Sequence, residues 1–131
     1  MKILFICDGN VARSQEAEIF LNTFAKGKHQ ALSAGVNPTV GKPIDPLVIE
    51  VMKEQGYDMD RSVRKPIDEA VARDVNLIVS FKPTDELPDF VRKLNNIRYW
   101  NVADPRGQSL EFHRQTRDIV RSKVESLINE L

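Results

Sequence analysis

The stretch that decides the fold is residues 2–14, which read KILFICDGNVARS. Residues 2–6 (KILFI) form a continuous apolar run, which is typical of a parallel strand buried on both faces. A polar loop follows at once, and from about Ser14 apolar residues recur at helical spacing, at Ala17, Phe20, Leu21, Phe24 and Ala25. The stretch therefore predicts a strand, a tight loop and a helix, with Cys7 as the first residue beyond the strand.

The rest of the chain repeats this alternation. Further strands are predicted at residues 29–35 (HQALSAG), 76–81 (NLIVSF) and 96–102 (NIRYWNV). Helices are predicted after Asp45-Pro46, near residues 67–74 and from about Gln108, whereas residues 83–94 are predicted to be helical or irregular. The apolar stripe of the last helix comprises Phe112, Ile119, Val120, Val124, Leu127, Ile128 and Leu131.

Alternating strands and helices imply a parallel sheet with right-handed crossovers and helices on both faces. We predict an α/β fold, a single three-layer domain over residues 1–131 whose four-stranded parallel sheet has the flavodoxin-like strand order 2-1-3-4. No internal repeat or linker divides the chain. Sheets of this kind bind ligands at the carboxyl ends of their strands, and Cys7 is predicted to lie at that edge.

Composition narrows the functional classes. The 131 residues include nineteen acidic and nineteen basic ones, and this balance gives no support to nucleic-acid or membrane binding through net charge. No apolar run approaches the ~20 residues of a membrane span, and no signal peptide is apparent, so the chain is predicted to be cytoplasmic. One cysteine allows no internal disulfide, and His29 and His113 lack ligand spacing, so neither a metal nor a cofactor is predicted.

The loop after the first strand has the composition of an anion site. Five residues separate Cys7 from Arg13, and Ser14 follows. A loop of this length that leads into a helix can turn its backbone N–H groups toward one centre, where the helix dipole also favours negative charge. Arg13 can bind two oxygens of a tetrahedral oxyanion with its planar fork. The same positive field favours a cysteine thiolate, so Cys7 is predicted to be a largely ionised nucleophile.

Other residues of this loop fit the same reading. Gly9 and Asn10 are predicted to adopt positive φ, and Ser14 to donate a hydrogen bond to the Cys7 thiolate. Plainer interpretations stay open at this point: Cys7 as a core residue, Arg13 as a solvated helix residue, and Ser14 as an N-cap.

Taken together, the motifs resemble a known family. CDGNVARS before an amphipathic helix, SAG at the end of the second strand and an ADP loop before the last helix are similar to the low-molecular-weight protein tyrosine phosphatases, whose fold is shared by arsenate reductases. The resemblance extends over essentially the whole chain. It implies a cysteine-dependent phosphatase that hydrolyses phosphomonoesters, with protein phosphotyrosine as the expected substrate, through a phosphocysteine intermediate.

The resemblance also implies roles for individual residues. Cys7 would be the nucleophile, Arg13 the phosphate clamp and Asp104 the general acid. Asn10 would shape the loop, Ser14 would hydrogen-bond the thiolate and Ser33 would support Asn10. The remaining phosphate-binding positions of the loop are Asp8, Gly9, Val11 and Ala12. The expected partners are a phosphorylated protein or a small phosphomonoester, with inorganic phosphate or a similar oxyanion in the loop.

The chemistry calls for an acid independently, because the departing alkoxide or phenoxide needs a proton. Two Asp-Pro pairs are available. Asp45-Pro46 is better explained as the N-cap and first residue of a helix. Asp104-Pro105 lies soon after the fourth strand, at the same sheet edge as Cys7, and is the predicted acid, although an ordinary Asp-Pro turn is the alternative.

Some positions depart from the family pattern. Arg106 and Gly107 stand where tyrosines often follow the Asp-Pro pair, residues 37–39 carry no aromatic residue, and Ala12 stands where many members have a second cysteine. The phosphotyrosine preference is therefore less secure than the phosphatase chemistry. Of Tyr99 and Trp100, at least one is expected in the core.

Two rival functions remain open. The first is a single-cysteine arsenate reductase that uses an external thiol, since the chain has no further cysteine to relay oxidation. The second is a cysteine phosphocarrier of the sugar phosphotransferase type, against which Arg13 and Asp104 argue.

Overall fold

The computed structural model describes residues 1–131 and contains one four-stranded parallel sheet. The strands are β1 (Lys2–Cys7), β2 (Gln30–Gly35), β3 (Leu77–Ser80) and β4 (Ile97–Tyr99). Their order across the sheet is β2-β1-β3-β4, and every neighbouring pair is parallel. The predicted strand order 2-1-3-4 is confirmed.

Five helices cover the two faces of this sheet. They are α1 (Arg13–Phe24), α2 (Pro46–Lys53), α3 (Glu69–Asp74), α4 (Asp89–Arg92) and α5 (Leu110–Glu130), with a short 3₁₀ turn at Thr84–Glu86. The larger core cluster joins one sheet face to α1, α2 and α5, and the smaller cluster joins the other face to α3 and α4. The predicted three-layer α/β architecture is therefore confirmed. No helix of the chain has both the length and the apolarity needed to cross a bilayer.

Strand β1 is central because both of its faces are buried. Ile3 and Phe5 point into the larger core cluster, whereas Leu4 and Ile6 point into the smaller one, as the period of two in a strand requires. The prediction that Cys7 lies beyond the strand is wrong by one residue. Cys7 is the last residue of β1, because the ladder with β2 continues to its pairing with Gly35.

The end of the sheet and the last helix depart from the sequence prediction. Strand β4 covers residues 97–99 rather than 96–102. Trp100 leaves the strand and packs against Phe5, with ring centroids 5.8 Å apart, whereas Tyr99 is exposed. Trp100 is partly buried and packs against the larger core cluster without being a member of it, so the expectation that at least one of these two aromatic residues belongs to the core is met only in part.

The buried stripe of α5 is more polar than predicted. Ile119, assigned to the apolar stripe, is exposed, and Phe112 is only partly buried. In their place His113, Thr116 and Arg117 are buried in the first half of the helix. This half faces polar groups, since His113 lies beside Asp45 and Arg117 donates to the backbone of α2.

Candidate active site

The loop between β1 and α1, residues Cys7–Ser14, is called the cradle loop below. No backbone N–H group from Asp8 to Ser14 donates a hydrogen bond to another atom of the protein. Helix α1 begins at Arg13, and its N-cap residue Ala12 provides no side-chain cap. Unpaired N–H groups at the start of a helix form a ready anion site, so the structure has the donors that the sequence predicts here.

The sulfur of Cys7 is placed at the base of this loop. Its Sγ lies 2.9 Å from the Ser14 Oγ, and only 2% of the residue is exposed. The Ser14 Oγ already accepts a hydrogen bond of 2.7 Å from the Asn10 side-chain amide. The hydroxyl hydrogen of Ser14 is therefore free to donate to the Cys7 Sγ.

The side chain of Asn10 anchors the buried side of the cradle loop through four hydrogen bonds. Its amide nitrogen donates to the Ser33 Oγ at 3.1 Å as well as to Ser14, and its amide oxygen accepts from the Gln15 side chain and the Lys65 backbone, both at 2.9 Å. Asn10 is fully buried and has a φ of 54°. The predicted positive φ and the predicted neighbourhood of Asn10 and Ser33 are both observed.

Gly9 does not have the predicted positive φ. A different constraint acts at this position, because a Cβ atom on Gly9 would lie 2.8 Å from the Arg106 Nη1. The contact is with the end of a flexible side chain, so a Cβ at this position would require only that the Arg106 guanidinium shift. Val11 and Ala12, the other two apolar positions of the loop, are buried in the larger core cluster.

Arg13 reaches across the carboxyl edge of the sheet. Its Nη1 donates to the Val102 carbonyl at 2.8 Å and to the Phe81 carbonyl at 3.3 Å, and its Nη2 lies 3.5 Å from the Asp104 Oδ2. Only 8% of the side chain is exposed. The plainer interpretation of Arg13 as a solvated helix residue is therefore wrong, and its guanidinium is held beside the cradle loop.

Asp104 lies opposite Arg13 in the loop that follows β4. It accepts hydrogen bonds from the Arg106 backbone N–H at 3.0 Å and from the Arg106 Nε at 2.8 Å. Burial alone would raise the pKa of Asp104, but the Arg106 hydrogen bonds and the charge of Arg13 outweigh it and place the pKa below its ordinary value. In this arrangement Asp104 is an ionised acceptor.

The other Asp-Pro pair is placed as the sequence predicts. Asp45 is the N-cap of α2, where its side chain accepts from the Leu47 N–H at 2.9 Å, and Pro46 is the first helical residue. The Asp45 carboxylate is thus engaged in capping, and Asp104 is the one that lies beside Arg13.

The mouth of the cradle loop is the place where the side chains of Asp8, Lys82, Asp104 and Arg106 meet. The ion pairs between them were not predicted from the sequence. The Asp8 carboxylate pairs with the Lys82 Nζ at 2.7 Å and with the Arg106 Nη2 at 2.6 Å. Burial would raise the pKa of Asp8, but hydrogen bonds from Lys82, Arg106 and Asn37 hold it well below its usual range. Lys82 follows the end of β3, so its place at the ligand-binding edge of the sheet could have been inferred from the sequence.

Comparison with known proteins gives a consistent result. The sequence model of the family described as "Low molecular weight phosphotyrosine protein phosphatase" matches residues 2–131. A protein named "Glutaredoxin arsenate reductase" from Synechocystis sp. is 33% identical, with 99% of this chain and 98% of that protein covered.

Two solved structures match this chain over nearly its whole length and nearly the whole of their own. An arsenate reductase in the phosphate binding state is 33% identical, with a TM-score of 0.85 and 98% and 97% coverage. The low molecular weight protein tyrosine phosphatase from T. tengcongensis is 26% identical, with a TM-score of 0.87 and 100% and 99% coverage.

Proposed function

The chain belongs to the low molecular weight phosphotyrosine protein phosphatase family and is an enzyme, and from this premise we propose that it hydrolyses phosphomonoesters through a phosphocysteine intermediate. The observation that carries the proposal is the placement of the Cys7 Sγ 2.9 Å from the Ser14 Oγ, at the base of a loop whose N–H groups have no acceptor. The expected substrates are phosphorylated proteins, phosphotyrosine proteins among them, and small phosphomonoesters of the cytoplasm.

In the proposed first step the Cys7 thiolate forms a bond to phosphorus, and the bond from phosphorus to the ester oxygen breaks. The cradle N–H groups and the Arg13 guanidinium stabilise the charge on the remaining oxygens. Asp104, protonated in the substrate complex, gives its proton to the departing oxygen, a contribution typically worth 10²–10⁴-fold.

In the second step water attacks phosphorus and the sulfur–phosphorus bond breaks. Asp104, now a carboxylate, takes the proton of the attacking water. The products are inorganic phosphate and the regenerated Cys7 thiolate, so one water is consumed for each ester hydrolysed.

Arsenate reduction with an external thiol is the second candidate, and the names of two relatives at 33% identity favour it. In that reaction Cys7 would bond to arsenic as water leaves. An external thiol would then attack the Cys7 sulfur, so that arsenic is reduced by two electrons to arsenite and the two sulfurs are oxidised to a mixed disulfide. A second external thiol would release Cys7. The thiols must come from outside because Cys7 is the only cysteine of the chain.

Hydrolysis of p-nitrophenyl phosphate without added metal tests the proposal. We expect Cys7→Ser to abolish turnover and Arg13→Ala to reduce kcat/KM by at least ~10²-fold, since it removes a donor to the transition-state oxygens. Arg98→Ala is a matched control, because Arg98 pairs with Glu130 and takes no part in the proposed site. Normal turnover by Cys7→Ser would refute the mechanism. Arsenate reduction that requires an added thiol, with negligible ester hydrolysis, would instead establish the second candidate.

A further inference from the structure

Arg106 joins the two sides of the cradle mouth. Its Nη2 lies 2.6 Å from the Asp8 Oδ2 on one side and 2.7 Å from the Asp104 Oδ2 on the other. Asp8 is the second residue of the cradle loop, and Asp104 belongs to the loop after β4. One guanidinium therefore links the phosphate-binding loop to the candidate acid.

The Arg106 link lies on the path that the organic group of an ester would take out of the cradle loop. The departing ester oxygen has to lie opposite the Cys7 sulfur and within hydrogen-bond distance of Asp104. The organic part of an ester must then leave the cradle between Asp104 and the cradle loop. The bridge from Asp8 to Asp104 crosses this exit, and the Arg106 guanidinium rests close to Gly9, whose Cβ would lie 2.8 Å from it.

We propose that Arg106 is a specificity-determining residue, a latch across the cradle mouth that disfavours oxyanions bearing a bulky aromatic group relative to bare oxyanions. This inference deepens the proposed function and rests on it for the direction in which the substrate leaves the cradle. On this proposal a bare oxyanion such as phosphate or arsenate binds in the cradle loop without displacing Arg106 from either carboxylate. An aryl group requires Arg106 to leave at least one of its two carboxylates.

The contacts of Arg106 also lower the pKa of Asp104, the candidate acid. Asp104 accepts two hydrogen bonds from Arg106, from the backbone N–H and from the side-chain Nε, and the Arg106 Nη2 lies 2.7 Å from its Oδ2 as an ion pair. Donors to a carboxylate favour its ionised form, so the pKa of Asp104 rises toward its ordinary value when the Arg106 side chain swings away. One movement of the Arg106 side chain therefore both opens the exit and raises the pKa of Asp104.

Arg106 can be substituted without leaving the Asp8 carboxylate unpaired. Asp8 keeps its partner Lys82 at 2.7 Å and its hydrogen bond from Asn37 at 3.1 Å when Arg106 is removed, so no unpaired charge is left beside the cradle. The Arg106 side chain is 42% exposed. Ion pairs this exposed are weak, which limits the expected effect to about three- to tenfold and makes the latch easy for a substrate to open.

Binding of two probes tests the latch without relying on turnover. The probes are inorganic phosphate and phenylphosphonate, an aryl oxyanion with no bond that the enzyme hydrolyses, and both dissociation constants are measured by titration calorimetry. Loss of the Arg106 cation is expected to weaken the binding of both probes, so the readout is the ratio of the two dissociation constants. We expect Arg106→Ala to shift this ratio about three- to tenfold toward phenylphosphonate, Arg106→Lys to shift it less, and Arg98→Ala to leave it unchanged.

An unchanged ratio, or a shift toward phosphate, in an Arg106→Ala protein that still binds phosphate would overturn the latch. The pH profile of kcat/KM for p-nitrophenyl phosphate gives a second readout, and its high-pH limb is expected to move upward in Arg106→Ala because the pKa of Asp104 rises. Absence of turnover in every variant would refute the proposed function alone, since the binding ratio is measured independently of turnover.

Discussion

The back and the mouth of the cradle loop are built from different interactions. At the back, the fully buried Asn10 makes short hydrogen bonds to Ser14 and Ser33 and accepts two more through its amide oxygen. At the mouth, Asp8 and Asp104 are held by the charges of Lys82 and Arg106, and their side chains are 23% and 32% exposed. Directional buried hydrogen bonds therefore shape one side, and partly exposed ion pairs shape the other.

This difference separates a preformed part of the site from an adjustable one. Buried hydrogen bonds are costly to leave unmade, so the back of the loop takes its shape when the chain folds. Partly exposed ion pairs contribute little each and exchange readily with water or with a ligand. We therefore expect substitutions at the back to affect every substrate alike, and substitutions at the mouth to have effects that depend on the substrate.

The largest effect is expected at the mouth, from Asp104→Asn. Loss of the acid should lower kcat by about 10²–10⁴-fold for a poor leaving group. The loss should be much smaller for p-nitrophenyl phosphate, whose leaving group needs little protonation. Steady-state kinetics over a series of aryl phosphates provides the measurement.

Asp45→Asn is the control for this experiment. Asparagine caps a helix about as well as aspartate, so this variant should keep normal activity. An equal loss of activity in Asp45→Asn would contradict the assignment of the acid to Asp104.

The next effect concerns the back of the loop. Asn10→Ala removes the amide that joins Ser14, Ser33 and Gln15, and should lower the free energy of unfolding by about 1–3 kcal/mol. It should lower turnover by a similar factor for every substrate, because the loop loses its shape. Urea unfolding and kinetics on two dissimilar esters check both expectations.

Asn10→Gly separates the side chain from the backbone at this position. The φ of 54° costs alanine an additional ~1–2 kcal/mol but costs glycine little. Asn10→Gly should therefore be the more stable of the two variants while losing a similar share of activity. Equal activity of Asn10→Gly and the unaltered protein would show that the hydrogen bonds of Asn10 are dispensable.

A separate effect, on the pH dependence of stability, comes from Glu16 on α1. Glu16 is fully buried and neither carboxyl oxygen has a hydrogen-bond partner. Burial raises the pKa of Glu16 to about 8, although the charges of Arg117 and Arg13 oppose the rise. From its unfolded value near 4.5 up to about 8, the folded state keeps a proton that the unfolded state releases.

The stability that Glu16 contributes is thus present at low pH and is lost as the pH rises through about 8. The loss can reach at most ~1.4 kcal/mol per pH unit. Urea unfolding at several pH values between about 5 and 8 should show a flatter dependence in Glu16→Gln. Glu125→Gln, which alters an exposed pair with Arg121, should leave the slope unchanged. A Glu16→Gln slope equal to that of the unaltered protein would contradict the raised pKa.

Local patterns explain why much of this structure was predictable. The apolar run of β1 and the spacing from Cys7 to Ser14 lie within one short stretch, and both place the cradle loop without knowledge of the rest of the chain. The capping role of Asp45 followed from an equally local signal, whereas the strand order followed from the alternation of strands and helices along the whole chain.

Long-range packing explains what the sequence did not reveal. Cys7 belongs to β1 because of its pairing with Gly35, and Gly9 lies close to Arg106 from the far end of the chain. Arg117 is buried because it donates to the Val51 carbonyl of α2 and to Glu54, the residue that follows α2. No periodicity within one element encodes such partners.

The central claim is that Cys7 carries the phosphoryl group, and one trapping experiment tests it most directly. Asp104→Asn is mixed with p-nitrophenyl phosphate, which has a good leaving group, so that phosphorylation stays fast while hydrolysis of the intermediate is slowed. We expect a burst of one nitrophenol per enzyme molecule and an intact mass increased by one phosphoryl group, mapped to Cys7 after acid quench. Turnover without a burst, or with the phosphoryl group on another residue, would contradict it.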